Sequence, residues 1–233
     1  MRIKFVLVCE GSSDRGLVPH LETLCVRAGA TEAMGEAPDL ARLPVPPGKT
    51  VSGQVSAVMR LGAEINLLFV HRDSDGRDPR IVRRQITEEV SSLVGCPVHV
   101  CVVPVQEIEA WLLTDEDAIR QVSGKPGGRE PLGVPPRRQI EGTASPKEIL
   151  KEAIAQASGE RGRRLEKIRS RFSRLRAILL QRLDIDGPIN ELPAWQALVA
   201  DIASAVADIQ HAPAERREGA RRRSSSGARD RRR

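Results

Sequence analysis

The chain has 233 residues, 40% of them hydrophobic, and carries a formal net charge of +6 with a pI near 9.6. That length buries one substantial core, or a core with a small helical addition, so one or two domains are expected. No run of about 18 apolar residues occurs, and the opening "MRIKFVLVCEG" has too short an apolar stretch and no small-residue cleavage site. Neither a membrane span nor a signal peptide is therefore expected, and a cytoplasmic location is.

The excess charge is local. In the segment "APAERREGARRRSSSGARDRRR", residues 212–233, nine arginines face Glu215, Glu218 and Asp230, and the rest of the chain is close to neutral. A low-complexity Arg/Ser/Gly segment cannot bury apolar surface, so disorder is expected there, either as a plain solvated extension or with nonspecific phosphate contacts. The four cysteines form no CxxC pair and the four histidines no i, i+4 pair. Reduced, buried thiols are expected rather than a zinc site or disulfides.

In chain order, three nearly continuous apolar runs predict strands buried on both faces: "IKFVLVC" (3–9), "NLLFV" (66–70) and "VHVCVVPV" (98–105). After the first, Ser12, Ser13 and Asp14 are cap candidates for a helix whose apolar face is Leu17, Leu21, Leu24, Cys25 and Ala28. A weaker helix over Val51, Val55, Val58 and Met59 follows the loop "LPVPPGK". Between the second and third strands, Asp78 as N-cap, Pro79 at the first helical position and Ile81, Val82, Ile86, Val90 and Leu93 define the clearest helix, with Gly95 as terminator. Strand, helix, helix, strand, helix, strand, helix describes an open α/β fold with a mostly parallel sheet flanked by helices. Past residue 120 a Gly/Pro-rich loop leads to "SPKE" (145–148), a capping-box pattern, and then to helical spacing through Phe172 and Leu179 and from Leu192 to Ile209. The expected organisation is a catalytic α/β domain over 1–120, a helical annex over 121–211 and the Arg-rich tail over 212–233. Trp111 and Trp195 lie in apolar helical patterns and are expected in the core.

All three predicted strands run into acids: Glu10 and Asp14 after the first, Asp73 and Asp75 after the second, Glu107 and Glu109 after the third. Ligands of open parallel sheets sit beyond the carboxyl ends of the strands. Grouped carboxylates repel one another unless a cation is shared, which points to a hard divalent metal such as Mg²⁺ or Mn²⁺ and hence to phosphoryl chemistry. Gly11 would let the backbone turn tightly toward such a ligand. Each acid also has a plain structural reading, as a turn residue, a helix cap or a first-turn helix acid.

These residues resemble the Toprim signature, a Glu-Gly after the first strand and an Asp-x-Asp after a later one. "CEGSSDRGLVPHLETL", "HRDSDG", "VPVQEIEAWLLTDEDAI" and "SPKEILKEAI" together resemble the Toprim-like family DUF4276, related to the OLD-type Toprim nucleases, over most of residues 1–210. The resemblance implies that Glu10 is a general acid/base or metal-bound group, that Asp73 and Asp75 are a metal-binding pair, that Asp14 is the acid following the glutamate, and that Glu107 or Glu109 completes a second metal site. It also implies a nuclease of a defence or repair setting, with a homodimer or a partner protein of a defence system as its company. The chain departs from the pattern in lacking an evident catalytic lysine, since Lys125 lies in a Gly/Pro loop, and the absence of tyrosine excludes a covalent tyrosyl route.

Other motifs carry less. "PPGKT" has Leu43 where a P-loop needs its first glycine, and no GxSxG occurs. The run "ERGRRLEKIRSRFSRLR" reads as a solvated helix face or as a nucleic-acid docking surface through Arg161, Arg163, Arg164 and Arg171. With aromatic residues at 2%, any such contact goes to the backbone rather than to stacked bases. The expected function is divalent-metal-dependent phosphodiester hydrolysis of DNA or RNA. The alternatives are a non-catalytic binding module and a phosphotransfer enzyme on small phosphoesters.

Overall fold

The computed structural model describes residues 1–62 and 64–212. The tail expected to be disordered lies outside them from residue 213 onward. Four parallel strands form one sheet: β1 (Arg2–Val8), β2 (Glu32–Glu36), β3 (Leu67–His71) and β4 (Val98–Val102), in the order β2-β1-β3-β4. α1 (Val18–Arg27) joins β1 to β2, α2 (Val51–Arg60) joins β2 to β3, and α3 (Pro79–Ser91) joins β3 to β4. The chain therefore leaves β1 toward one edge and then crosses to the other side. The switch point lies between the carboxyl ends of β1 and β3, where open α/β sheets place ligands.

Side chains alternate between two apolar layers, as the pleat requires. Phe5 and Leu7, Leu67 and Phe69, and Val100 and Val102 face one layer; Val6 and Val8, Leu68 and Val70, and Cys101 and Val103 face the other. The second layer is closed by α2 and α3. The first is closed by α1 and, without a break, by the C-terminal helices. These are α4 (Glu109–Leu112), α5 (Glu116–Val122), α6 (Arg137–Ile140), α7 (Pro146–Ser158), α8 (Gly162–Arg169), α9 (Phe172–Gln181) and α10 (Pro193–His211). Trp111 and Trp195 meet edge to face inside this layer, centroids 5.1 Å apart. Among the described residues no helix is long and apolar enough to cross a membrane. All four cysteines are free, with Cys25 and Cys101 buried.

Several expectations need correction. The sheet has a fourth strand, β2, whose "EAMGE" shows no apolar alternation because it is an edge strand with only Ala33 and Gly35 turned inward at partial exposure. Its Gly35 pairs with Phe5, and a Cβ there would lie 2.1 Å from the Phe5 ring. Ser12, Ser13 and Asp14 do not cap α1; they belong to a short 3-10 helix, Ser12–Leu17, that precedes it. Gly11 is extended (φ −129°, ψ 156°) and makes no left-handed turn. The capping box at α7 does not form: Ser145 makes no side-chain cap, Glu148 pairs with Lys151 at 2.5 Å, and the Lys147 N–H donates to Glu107 instead. The third strand stops at Val102, just before Pro104, which cannot donate to a ladder. The α3 expectation matches: Asp78 Oδ1 accepts the Arg80 N–H at 2.9 Å, with Pro79 opening the helix.

The C-terminal helices dock on the 3-10 helix and α1. A Cβ at Gly16 would lie 3.1 Å from Leu180 Cγ, and His20 Nε2 donates to the Leu180 carbonyl at 2.6 Å. Burial pushes the His20 ring below its usual pKa, against the opposing pull of that carbonyl.

Two outcomes follow from this packing. Gly35→Val should lower stability by about 1–3 kcal/mol through overpacking against Phe5, read as a shifted urea midpoint; an unchanged midpoint would contradict the close approach. His20 stays neutral in the folded protein while the unfolded chain takes a proton below about pH 6.5, so stability falls as pH drops through that value. Replacing His20 with Gln, which keeps a donor but does not titrate, should flatten the wild-type loss between pH 7 and 5.5. An identical loss in both proteins would assign it to other groups.

Candidate functional site

The apolar strands deliver the site. β1 leaves its two buried faces at Val8, and the chain passes through Cys9, Glu10 and Gly11 into the 3-10 helix, which is held down by Leu180 over Gly16. This carries Asp14 inward, to 5% exposure. Its Oδ1 accepts from Ser13 Oγ at 3.1 Å and from Arg176 Nη2 at 2.8 Å. β3 ends on His71, which is fully buried. The His71 Nε2 lies 3.2 Å from Asp73 Oδ1, and Nδ1 faces Asp14 Oδ2 at 3.5 Å without forming a hydrogen bond. A neutral imidazole donates from one nitrogen only, so it cannot satisfy both carboxylates at once.

The loops after β3 and β4 are clasped together. Ser74, fully buried, donates its N–H to the Gln106 carbonyl at 3.0 Å, as does the Asp75 N–H at 3.2 Å, while the Gln106 N–H donates to Ser74 Oγ at 2.7 Å. Both Asp75 (φ 49°) and Gln106 (φ 71°) adopt left-handed backbone, a strained conformation held here by the reciprocal bonds. The clasp sets Asp73 on one loop beside Glu107 on the other. Glu107 Oε2 accepts the Lys147 N–H of α7 at 3.3 Å. Burial first and then the Glu109 carboxylate hold the Glu107 carboxyl above the usual range, against the hydrogen bond from the Lys147 N–H and with a lesser push from Asp73.

Glu109 opens α4 at 4% exposure, and its Oε1 accepts from Arg176 Nε at 2.8 Å. Arg176, from α9, also donates to the Ser13 carbonyl at 3.2 Å. Burial pulls this guanidinium down, yet the Glu109 and Asp14 carboxylates outweigh it and hold it above its ordinary pKa. Among the described residues no three Asp, Glu, His or Cys side chains are arranged around one metal ion. Between Asp14 and Glu109 lies the guanidinium.

Of the acids expected to act together, the structure links Asp14 with Asp73 through His71 and with Glu109 through Arg176, while Glu107 lies close enough to Glu109 and Asp73 to feel their charge. Glu10 and Asp75 are exposed, with no hydrogen bond or ion pair from their side chains among the described residues. Glu10 acts electrostatically on Arg72, a half-buried guanidinium that donates to the His71 carbonyl at 2.7 Å and to Gln54. Arg161, Arg163, Arg164 and Arg171 are all exposed, and α8 buries no residue; Arg164 approaches Glu160 at 3.8 Å, while the other three form no ion pair among the described residues. Sequence reasoning missed His71 and Arg176. The signal for Arg176 was its position four residues after Phe172 and three before Leu179, on the apolar stripe of a helix otherwise read as a basic face.

No curated protein and no solved structure matches this chain. The family model described as a domain of unknown function, DUF4276, matches residues 10–203, which span every acid of the network and Arg176. The chain belongs to the DUF4276 family.

Proposed function

We propose that the protein is a divalent-metal-dependent phosphodiester hydrolase, a Toprim-like nuclease acting on DNA or RNA in the cytoplasm, in a defence or repair setting. The observation that supports this reading is that Asp14, Asp73, Glu107 and Glu109 all lie just beyond the carboxyl ends of β1, β3 and β4, beside the switch point of the sheet, and are linked in pairs. Four carboxylates with one buried guanidinium among them leave surplus negative charge in a partly buried place, which a shared hard cation relieves. Carboxylate oxygens are the donors that suit Mg²⁺ or Mn²⁺.

Asp73 with Asp14 and Asp75 would hold one ion, and Glu107 with Glu109 a second. Bound there, the metal supplies Lewis-acid polarisation of the phosphodiester. His71 orients Asp73 through Nε2, and the Ser74–Gln106 clasp fixes the spacing of the two loops. Glu10, exposed two residues past the end of β1, would take the proton of the attacking water. Arg161, Arg163 and Arg171, exposed and without an ion pair among the described residues, would offer their charge to a phosphate backbone.

A second reading has its own observation. Arg176 gives Asp14 and Glu109 a buried partner, and Glu107 caps α7, so three acids have structural roles that a non-catalytic module binding nucleic acid or a partner protein would retain.

Incubation with plasmid, single-stranded DNA and RNA in Mn²⁺, Mg²⁺ or EDTA separates the two. The hydrolase cleaves in metal and not in EDTA, and Glu10→Gln slows it by about 10²–10⁴-fold while melting as the wild type does. A wild-type protein that binds these substrates and cuts none is the binding module. For the basic face, replacing Arg161, Arg163 and Arg171 together with Ala should reduce the slope of log affinity against log salt by about two to three, with no change in melting temperature. An unchanged slope would remove these residues from the interface.

A further inference from the structure

The arginines near the strand ends are not all partnered alike. Arg176 is taken up by two carboxylates, whereas the loop that leaves β3 carries two guanidiniums that meet none. Arg72, half-buried, donates from Nη1 to the His71 carbonyl at 2.7 Å, and from Nη2 to the Lys49 carbonyl at 3.5 Å and to Gln54 Oε1 in α2. Arg77 donates from Nε to the Ser74 carbonyl at 3.3 Å and from Nη1 to Gln85 Oε1 in α3 at 3.4 Å. Every one of these acceptors is a neutral amide oxygen. Glu10 and Glu89 are the carboxylates whose charge reaches Arg72, and among the described residues neither forms an ion pair with it. Glu89 is engaged elsewhere, accepting from the Ser52 N–H at 2.8 Å and from Ser52 Oγ at 2.9 Å.

Amide oxygens orient a guanidinium without cancelling its charge. The result is a fixed fork of N–H donors whose positive charge stays on offer, and that fork matches the oxygens of a phosphate. Gln54 and Gln85 belong to α2 and α3, so both forks lean to the layer opposite α9, away from the carboxylates that Arg176 occupies. Exposed Lys49, just before α2, adds a third cation without an ion pair among the described residues.

We propose that Arg72 and Arg77 form an anion-binding face that receives the phosphodiester backbone of a nucleic acid on the α2–α3 side of the strand ends. The proposal deepens the hydrolase reading by naming what holds the substrate, and it rests on that reading for the choice of a nucleic acid; the binding step itself asks for no metal. Glu10, whose charge already reaches Arg72, is then close enough to act on what Arg72 holds.

The test is the affinity of the full chain, in EDTA, for a fluorescently labelled single-stranded DNA tetranucleotide, read by anisotropy in wild type, Arg72→Gln, Arg72→Lys and Arg77→Gln. Each Gln variant should bind about tenfold more weakly and lose about 0.7 from the slope of log affinity against log salt. Arg72→Lys, which keeps the charge and loses the fork, should fall between Arg72→Gln and wild type. The same tetranucleotide with uncharged methylphosphonate linkages should bind wild type no better than it binds the Gln variants. Hydrogen exchange supplies a readout that needs no variant to fold: the charged tetranucleotide should slow exchange of the wild type in residues 49–54 and 71–78. The anion face is overturned by a wild type that does not bind the tetranucleotide, by Gln variants or a neutral backbone that bind as tightly, or by unchanged exchange in those segments. Cleavage by the wild type in Mn²⁺ leaves the hydrolase reading standing in each of those cases. Binding that depends on Arg72 and Arg77, with no cleavage in any metal, keeps the anion face and overturns the hydrolase instead.

Discussion

The contact on which this molecule turns is the guanidinium of Arg176 lying between the carboxylates of Asp14 and Glu109. All three groups are buried, and a charge removed from water is tolerated only when it is paired and hydrogen-bonded. Deleting one member of such a set strands the others and costs about 3–5 kcal/mol. The three residues come from distant parts of the chain: the turn after β1, the start of α4, and α9. One guanidinium therefore ties the C-terminal helices to the carboxyl ends of the sheet. It does so at the place where open parallel sheets bind ligands.

Around that contact the fold divides its tasks. The buried strands are plain: alternating Val, Leu, Phe and Cys pack two layers and fix where each chain segment leaves the sheet. The exits are where local preference is overridden. Asp75 and Gln106 sit in backbone conformations that cost of order 1–3 kcal/mol each, and they persist because Ser74 and Gln106 exchange hydrogen bonds across the two loops. This strain is gathered at the ends of β3 and β4, beside Asp73 and Glu107. Glu107 shows the same double character, as cap of α7 and as a carboxyl whose proton is held more tightly than usual beside Glu109.

The sequence was most legible where one physical rule acts alone. Continuous β-branched runs marked β1, β3 and β4, and Asp78-Pro79 marked the start of α3, because burial and capping are local. β2 was illegible because an edge strand with Glu at both ends follows neither rule, and its identity depends on Gly35 receiving the Phe5 ring. Asp14 looked like a helix cap because its partners, Arg176 and His71, are 162 and 57 positions away in the chain. Ser145 looked like the opening of a capping box, yet it makes no side-chain cap, and the Lys147 amide in the same first turn goes to Glu107, 40 residues earlier. That acids would gather at the strand ends could be read directly. That their resident counter-charge would be an arginine could not, since a buried Arg and a solvated Arg look alike until the helix is placed against the sheet.

The most direct measurement is anomalous diffraction at the manganese edge from crystals soaked in Mn²⁺. The hydrolase reading predicts a strong anomalous peak within coordination distance of Asp73 and a neighbouring carboxylate of the network, at about 2.0–2.2 Å for a hard divalent ion of this size. A soaked crystal without anomalous density beyond the ends of β1, β3 and β4, and with Arg176 still bridging Asp14 and Glu109, would contradict it.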